Sequence, residues 1–187
     1  VGRLIAAVRK RQPNTIVVLA ADHGEEFDEH GGRYHGSTLY DEQLREVAAR
    51  EEDTVEVFFA LAEDDIREAC DLMRPVWERT DGVDGFVSLE VDPTLAYDRE
   101  RTFEQAVRFN KEVDKPNLYV KIPATEPGLG AIEDCIAKSV PINVTLIFSL
   151  ERYAAVVEAY LRGLERLVAA GGDPRKVISV ASFFVSR

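Results

Sequence analysis

Disulfide chemistry has almost no material in this sequence: its 187 residues hold two cysteines, Cys70 and Cys135. Two isolated thiols in helix-like segments make neither a disulfide framework nor a zinc site, so both read as reduced core residues of a cytoplasmic protein. No apolar run approaches the roughly 20 residues that cross a bilayer. The start Val1-Gly2-Arg3 has neither a signal-peptide pattern nor an initiator methionine, and reads as an internal cut or a processed end. Positive charge is also in deficit. With 23 Lys and Arg against 34 Asp and Glu, the formal net charge is −11, which argues against nucleic acid or a membrane surface as a partner, because phosphates are repelled over most of the surface. A small anionic substrate stays open wherever cations gather locally. There is no internal repeat and no low-complexity tract. What is present, 45% hydrophobic and 30% charged residues, suits an ordinary core in one domain, at most two.

Apolar runs of strand length alternate with longer segments of helical period, the pattern of βαβ units and a parallel sheet. The predicted strands are Thr15 to Ala21, Gly85 to Glu90, Leu118 to Ile122, Ile142 to Ile147 and Val177 to Ser182. The predicted helices are Leu39 to Arg50, Val55 to Arg79, Arg99 to Val113, Pro127 to Ala137 and Leu150 to Ala169. Asp98 and Ser149 stand at cap positions with acidic residues in the first turn behind them, and Gly171-Gly172-Asp173-Pro174 is a stop signal.

Lys121 is the residue with the most chemical content. Asn117-Leu118-Tyr119-Val120-Lys121-Ile122-Pro123-Ala124-Thr125 places one lysine in an otherwise apolar strand. Burial disfavours an ammonium, so a lysine held in such a strand can supply the neutral amine that attacks a carbonyl and forms a Schiff base. A lysine snorkelling from the strand end to water is the alternative on these residues alone. The last four predicted strands each carry polar groups near their carboxyl ends: Ser88 and Glu90, Lys121, Asn143 and Thr145, then Ser182 followed by Arg187. Asn143 and Thr145, spaced i, i+2, share a face. In a (β/α) barrel such strand ends meet at one rim, where active sites are assembled. A lysine, a carboxylate, an amide, hydroxyls and an arginine on one rim make a carbon–carbon lyase or transferase site.

Four segments carry a family resemblance. Gly82-Val83-Asp84-Gly85-Phe86-Val87-Ser88-Leu89-Glu90-Val91-Asp92-Pro93, Tyr119-Val120-Lys121-Ile122-Pro123-Ala124-Thr125, Ile142-Asn143-Val144-Thr145-Leu146-Ile147-Phe148-Ser149 and Ala181-Ser182-Phe183-Phe184-Val185-Ser186-Arg187 resemble transaldolase in its actinobacterial form. The resemblance runs from about Gly36 to Arg187. It implies an α/β fold that is part of a (β/α)8 TIM barrel, and transfer of a dihydroxyacetone unit between sugar phosphates in the pentose phosphate pathway. It implies no cofactor. By the resemblance Lys121 holds the three-carbon unit as an imine, and Glu90 and Thr145 position the water that shuttles protons. Asn143 and Ser182 bind the fragment's hydroxyls, Phe184 shapes the wall, and Arg187 contacts phosphate through its guanidinium fork. From the residues alone, Glu90 capping a loop, Asn143 and Thr145 satisfying backbone, and Arg187 as a solvated terminus stay open.

The chain departs from that pattern at its start. Eight-stranded barrels take about 250 residues, and this sequence reaches Arg187 just after the sixth expected strand. The family's first-strand aspartate and its Thr-Ser-Asn-Pro motif have no match. An incomplete sheet exposes unpaired edges, so self-association is expected. Residues 1–45 are instead similar to a sulfatase fragment of the alkaline-phosphatase superfamily, on Asn14 to Gly36, a stretch that ends an apolar run at Asp22-His23 and holds all three histidines. That resemblance implies a divalent-metal site at Asp22 and His23, with His35 toward sulfate or phosphate; a solvated acidic loop is the alternative, since two adjacent ligands do not close a site. Gly36 to Arg45 reads in either family. The expected division is therefore 1–35, sulfatase-like, and 36–187, transaldolase-like. The strand ending at Asp22 would then stand in for a missing barrel strand and bring its carboxylate to the rim. The alternative function is an inactive chimera that binds metal.

Overall fold

The computed structural model describes residues 54–185. In chain order they form α1 (Thr54–Arg79), β1 (Val87–Glu90), α2 (Arg99–Val113), β2 (Leu118–Pro123), α3 (Glu126–Ala137), β3 (Ile142–Ile147), α4 (Leu150–Ala169) and β4 (Ser179–Phe183), with 3-10 turns at Pro93–Leu95 and Pro174–Lys176. The strand expected at Thr15 to Ala21 and the helix expected at Leu39 to Arg50 lie outside the described residues.

Local chemistry sets the helix starts. Asp98 and Ser149 cap α2 and α4 as expected, accepting from the N–H groups of Arg101 at 3.0 Å and Arg152 at 3.1 Å. Thr125 does the same for α3, accepting from Gly128 N–H at 3.1 Å. Two strands start later than expected. Gly85 has φ +82 and cannot continue a strand backward. Val177 still donates its N–H to Pro174 and closes the preceding 3-10 turn.

The four strands are parallel and lie in the order β1-β2-β3-β4. Each crossover advances one place in the same direction, the progression of a barrel rather than of a doubly wound sheet, whose order reverses at a switch point. Successive helices touch one another, and each packs on its neighbouring strands. The core between them joins Leu89, Val120, Ile122, Ile142, Val144 and Ile147 of the strands to Phe109, Ile132, Ile136 and Val156 of the helices. Full burial of such a side chain is worth about 1.5–3 kcal/mol, so this interface holds the strand ends in place. Asn117 lies within it, donating from Nδ2 to the carbonyls of Cys70 at 2.8 Å and Gly85 at 2.9 Å.

Cys70 in α1 and Cys135 in α3 are free and buried, as expected of core thiols. Burial pushes Cys70 up to about 11 and Cys135 to about 12, so both stay protonated and unreactive.

Glu63 of α1 is the buried carboxylate among the described residues. Its Oε2 lies 3.1 Å from Arg67. Burial raises its pKa above the ordinary carboxylate value and Glu112 raises it further, against Arg67 and Arg108. A carboxyl whose folded pKa is raised contributes stability at pH below its unfolded value and loses it as pH rises through the folded value. Glu63→Gln is therefore expected to raise the melting temperature at pH 7 by roughly 2–4 °C, with the gain vanishing toward pH 4. A lower melting temperature at pH 7 would show that the two arginines dominate.

Candidate active site

Strand alternation sorts the site residues before any ligand is considered. Leu89, Val120, Ile122, Ile142 and Val144 face the helices. The intervening Ser88, Glu90, Tyr119, Lys121, Asn143, Thr145 and Ser182 therefore share the other face. The apolar neighbours that make Lys121 conspicuous in the sequence, Val120 and Ile122, point away from it into the helix-facing core.

Register then places the polar groups side by side. Glu90 pairs with Lys121 across β1 and β2, and Lys121 pairs with Asn143 across β2 and β3. Lys121 Nζ lies 3.5 Å from Glu90 Oε2, the lysine side chain 19% exposed and the glutamate 45%. The amine is thus held at a mouth open to water and not at the end of a solvated tether.

A hydrogen-bonded chain crosses the same face. Ser182 Oγ donates to Asn143 Oδ1 at 2.8 Å, and Asn143 Nδ2 donates to Ser88 Oγ at 3.1 Å. Ser88 and Asn143 belong to β1 and β3, so their contact passes over β2. In a barrel interior, side chains from alternate strands fill one layer in this way. Tyr119 lies on this face beside Ser88 in the register, buried and stacked on Phe86 with centroids 4.2 Å apart. Burial pushes its phenol up to about 12, so the ring stays neutral.

Thr145 follows Asn143 by two residues and is 1% exposed. Immediately beyond it the strand bulges: Leu146 adopts φ +57, and three β3 steps from Val144 to Ile147 span what two steps span in β4, from Ala181 to Phe183. Bulges re-aim side chains next to sites. This one carries Phe148 into a stack with Phe184, centroids 5.0 Å apart, while Phe184 N–H donates to Ile147 at 2.9 Å.

The lysine strand is anchored where it leaves the sheet. Thr125 Oγ1 donates to the carbonyl of Ala96 while capping α3. The turn brings Gly128 so close to Pro123 that a Cβ there would stand 2.2 Å from the Pro123 carbonyl oxygen.

Glu90, Lys121, Asn143 and Ser182 are thus gathered on one face from four successive strands, with Thr145 and Phe184 at its edge. Arg187, Asp22, His23 and His35 lie outside the described residues. Ser88 and Tyr119 were missed as site residues: Ser88 is legible as a polar strand-end group, but its partner is two strands away, and nothing local marks Tyr119. Among the described residues no group of three or more His, Cys, Asp or Glu is placed to hold a metal ion, and no helix is long and apolar enough to cross a membrane. An open groove of about 800 Å³ lies in the helix layer, lined by residues that include Tyr97, Arg99, Phe103, Lys138 and Arg166. It includes none of the residues of the lysine face. Its arginines are committed to ion pairs, Arg99 with Asp134 at 2.8 Å and Arg166 with Glu133 at 2.9 Å.

Comparison with known proteins identifies the family. Residues 28–187 match the family described as Transaldolase/Fructose-6-phosphate aldolase. A transaldolase of Acidothermus cellulolyticus is 46% identical over 186 residues, covering all of this chain and 48% of that protein. Transaldolases of Mycolicibacterium paratuberculosis and Mycobacterium tuberculosis are 54% and 52% identical over 148 residues, 79% of this chain and 40% of each relative. The chain spans less than half the length of these curated relatives. Nothing in the comparisons supports a sulfatase origin for residues 1–45, and the Acidothermus alignment runs through that segment. With a match over most of its length and the lysine face in place, the chain belongs to the transaldolase/fructose-6-phosphate aldolase family.

Proposed function

We propose that this chain carries the Schiff-base half of a transaldolase site, in which Lys121 forms an imine with the carbonyl of a ketose phosphate and retains a dihydroxyacetone unit for transfer to an aldose phosphate. The observation that supports this most directly is the Lys121–Glu90 pair at 3.5 Å, on the face that also presents Asn143 and Ser182. The Lys121 nitrogen adds to the ketone carbon, and the carbinolamine loses its oxygen as water. Both steps move protons, which Glu90 exchanges with the amine directly or through one water held with Thr145. When the carbon–carbon bond breaks, the hydroxyl on the departing carbon gives its proton to water, the bond's electron pair enters the protonated imine toward nitrogen, and the distal fragment leaves as an aldehyde. Asn143 and Ser182 hold the fragment's hydroxyls, Phe184 bounds the pocket and Arg187 meets the phosphate. The free, buried thiols suit a reducing, cytoplasmic setting. Exposed Leu150, Tyr153 and Val157 of α4 and Val185 after β4 suit self-association along that edge. No observation favours the metal-binding alternative.

Mass spectrometry after incubation with fructose 6-phosphate and borohydride tests the reading. A reduced adduct of three-carbon size on Lys121 is expected. An adduct of the whole sugar would show that cleavage is lacking, and no adduct on a folded sample would overturn the proposal.

A further inference from the structure

We propose that Thr125 is a positioning residue whose hydroxyl ties the link after Glu90 to the link after Lys121 and so holds the carboxylate beside the amine. This rests on the Schiff-base reading above and adds to it a residue outside the lysine face.

The sense of both Thr125 hydrogen bonds is fixed by their partners. A backbone carbonyl only accepts and a backbone N–H only donates. The Thr125 Oγ1 proton therefore goes to the carbonyl of Ala96, and the oxygen receives Gly128 N–H at 3.1 Å. The second bond caps α3. The first reaches back to the link between β1 and α2.

Position gives that first bond its consequence. β1 ends at Glu90 and β2 at Pro123, and residues 91–98 and 124–125 are the links that follow. Beside the Glu90–Lys121 pair, Val91 N–H donates to the Lys121 carbonyl at 3.1 Å. Past that point, among the described residues, the next hydrogen bond that returns the longer link to the lysine strand or its link is the one from Thr125. Gln105 Oε1, accepting from Asp92 N–H at 2.6 Å, and Thr102 Oγ1, donating to the Leu95 carbonyl at 2.8 Å, hold the same link to α2 instead. A single bond at Val91 is a hinge, whereas a second at Ala96 stops rotation about it. The short link is also held on its other side, where buried Ala124 donates its N–H to the Thr145 carbonyl at 2.8 Å. Ala124 and Thr125 thus join the segments that carry the amine and the two groups assigned to its proton transfers.

The test compares the whole chain with Thr125→Ser, Thr125→Asp and Thr125→Gly, following the borohydride-trapped adduct on Lys121 over a range of dihydroxyacetone concentrations. Serine keeps both bonds. Aspartate and glycine are helix caps at least comparable to threonine, yet neither has a proton for the Ala96 carbonyl. Because the two differ in charge, an effect they share reports the lost donor. The limiting rate is expected to fall about tenfold in Thr125→Asp and Thr125→Gly, as displacement of a catalytic group produces. The half-saturating concentration changes little, and Thr125→Ser stays close to the unaltered chain. Deuterium uptake by the backbone of residues 91–98, read by mass spectrometry, gives a second readout that needs no reactivity. It rises in Thr125→Asp and Thr125→Gly and not in Thr125→Ser. An unaltered limiting rate in either folded variant would overturn the proposal, even with a lowered melting temperature, and would leave Thr125 as a helix cap only. A slowed rate without a rise in uptake would overturn it as well. If the unaltered chain forms no adduct, the Schiff-base reading fails, and the uptake alone decides for or against the tie at Thr125.

Discussion

Lys121→Met is expected to abolish the borohydride-trapped adduct while leaving the melting temperature within a few degrees of the unaltered chain. The two halves of that result rest on different physics. Imine formation needs a nitrogen lone pair, and methionine, of similar length and volume, offers none, so the loss is complete and not graded. The fold loses only the ion pair with Glu90, whose carboxylate is 45% exposed and 3.5 Å away. Pairs in such partly solvated positions contribute up to about 1 kcal/mol. Trapping at another lysine in Lys121→Met, measured by peptide mass spectrometry, would show that reactivity is not confined to the lysine face.

The second large effect is expected from a single methyl group, at Gly128→Ala. A methyl group there would meet the Pro123 carbonyl oxygen at 2.2 Å and Thr125 Oγ1 at 2.8 Å. Neither neighbour can yield cheaply: the carbonyl belongs to the last residue of β2, and the hydroxyl caps α3. Relief requires the first turn of α3 to move off the strand end, combining overpacking strain of about 1–3 kcal/mol with a weakened cap of about 1 kcal/mol. For a chain of this size that lowers the melting temperature by roughly 6–12 °C. Thermal unfolding by circular dichroism measures it, and a shift under about 2 °C would show that the turn has slack. Because the displaced turn follows the lysine strand directly, adduct formation is expected to fall as well.

Most of the fold was legible because its signals are local. The periods of α2, β3 and α4 gave their bounds residue for residue, and Asp98 and Ser149 cap the helices that begin just after them. The departures have local causes as well, a left-handed Gly85 and a 3-10 turn running into Val177. The site was legible to the extent that a strand end can be read one residue at a time: Lys121, Glu90, Asn143 and Ser182 all stand out as polar groups at strand ends, and strand register brings them together. The features that could not be read depend on partners distant in sequence. Ser88 finds Asn143 over an intervening strand, Phe184 finds Phe148 only after a bulge, and the apolar setting of Lys121 belongs to the opposite face. Pattern alone states what alternates, not which face is the pocket.

The left-handed kink at Leu146 makes this stretch sensitive to length in a way it is not sensitive to identity. Many side chains could occupy position 146 at the expense of some backbone strain. Deletion of a single residue between Val144 and Ile147 is a different event, because it removes the extra residue, restores simple alternation and leaves Ile147 opposite Phe183 with its parity unchanged. An added residue that the bulge does not absorb reverses that parity instead: Ile147 would turn out of the core, and Phe148 would leave Phe184 and swing toward the helices. Mutational tolerance here should accordingly split by type, with substitutions graded in effect and a one-residue insertion more damaging than a one-residue deletion.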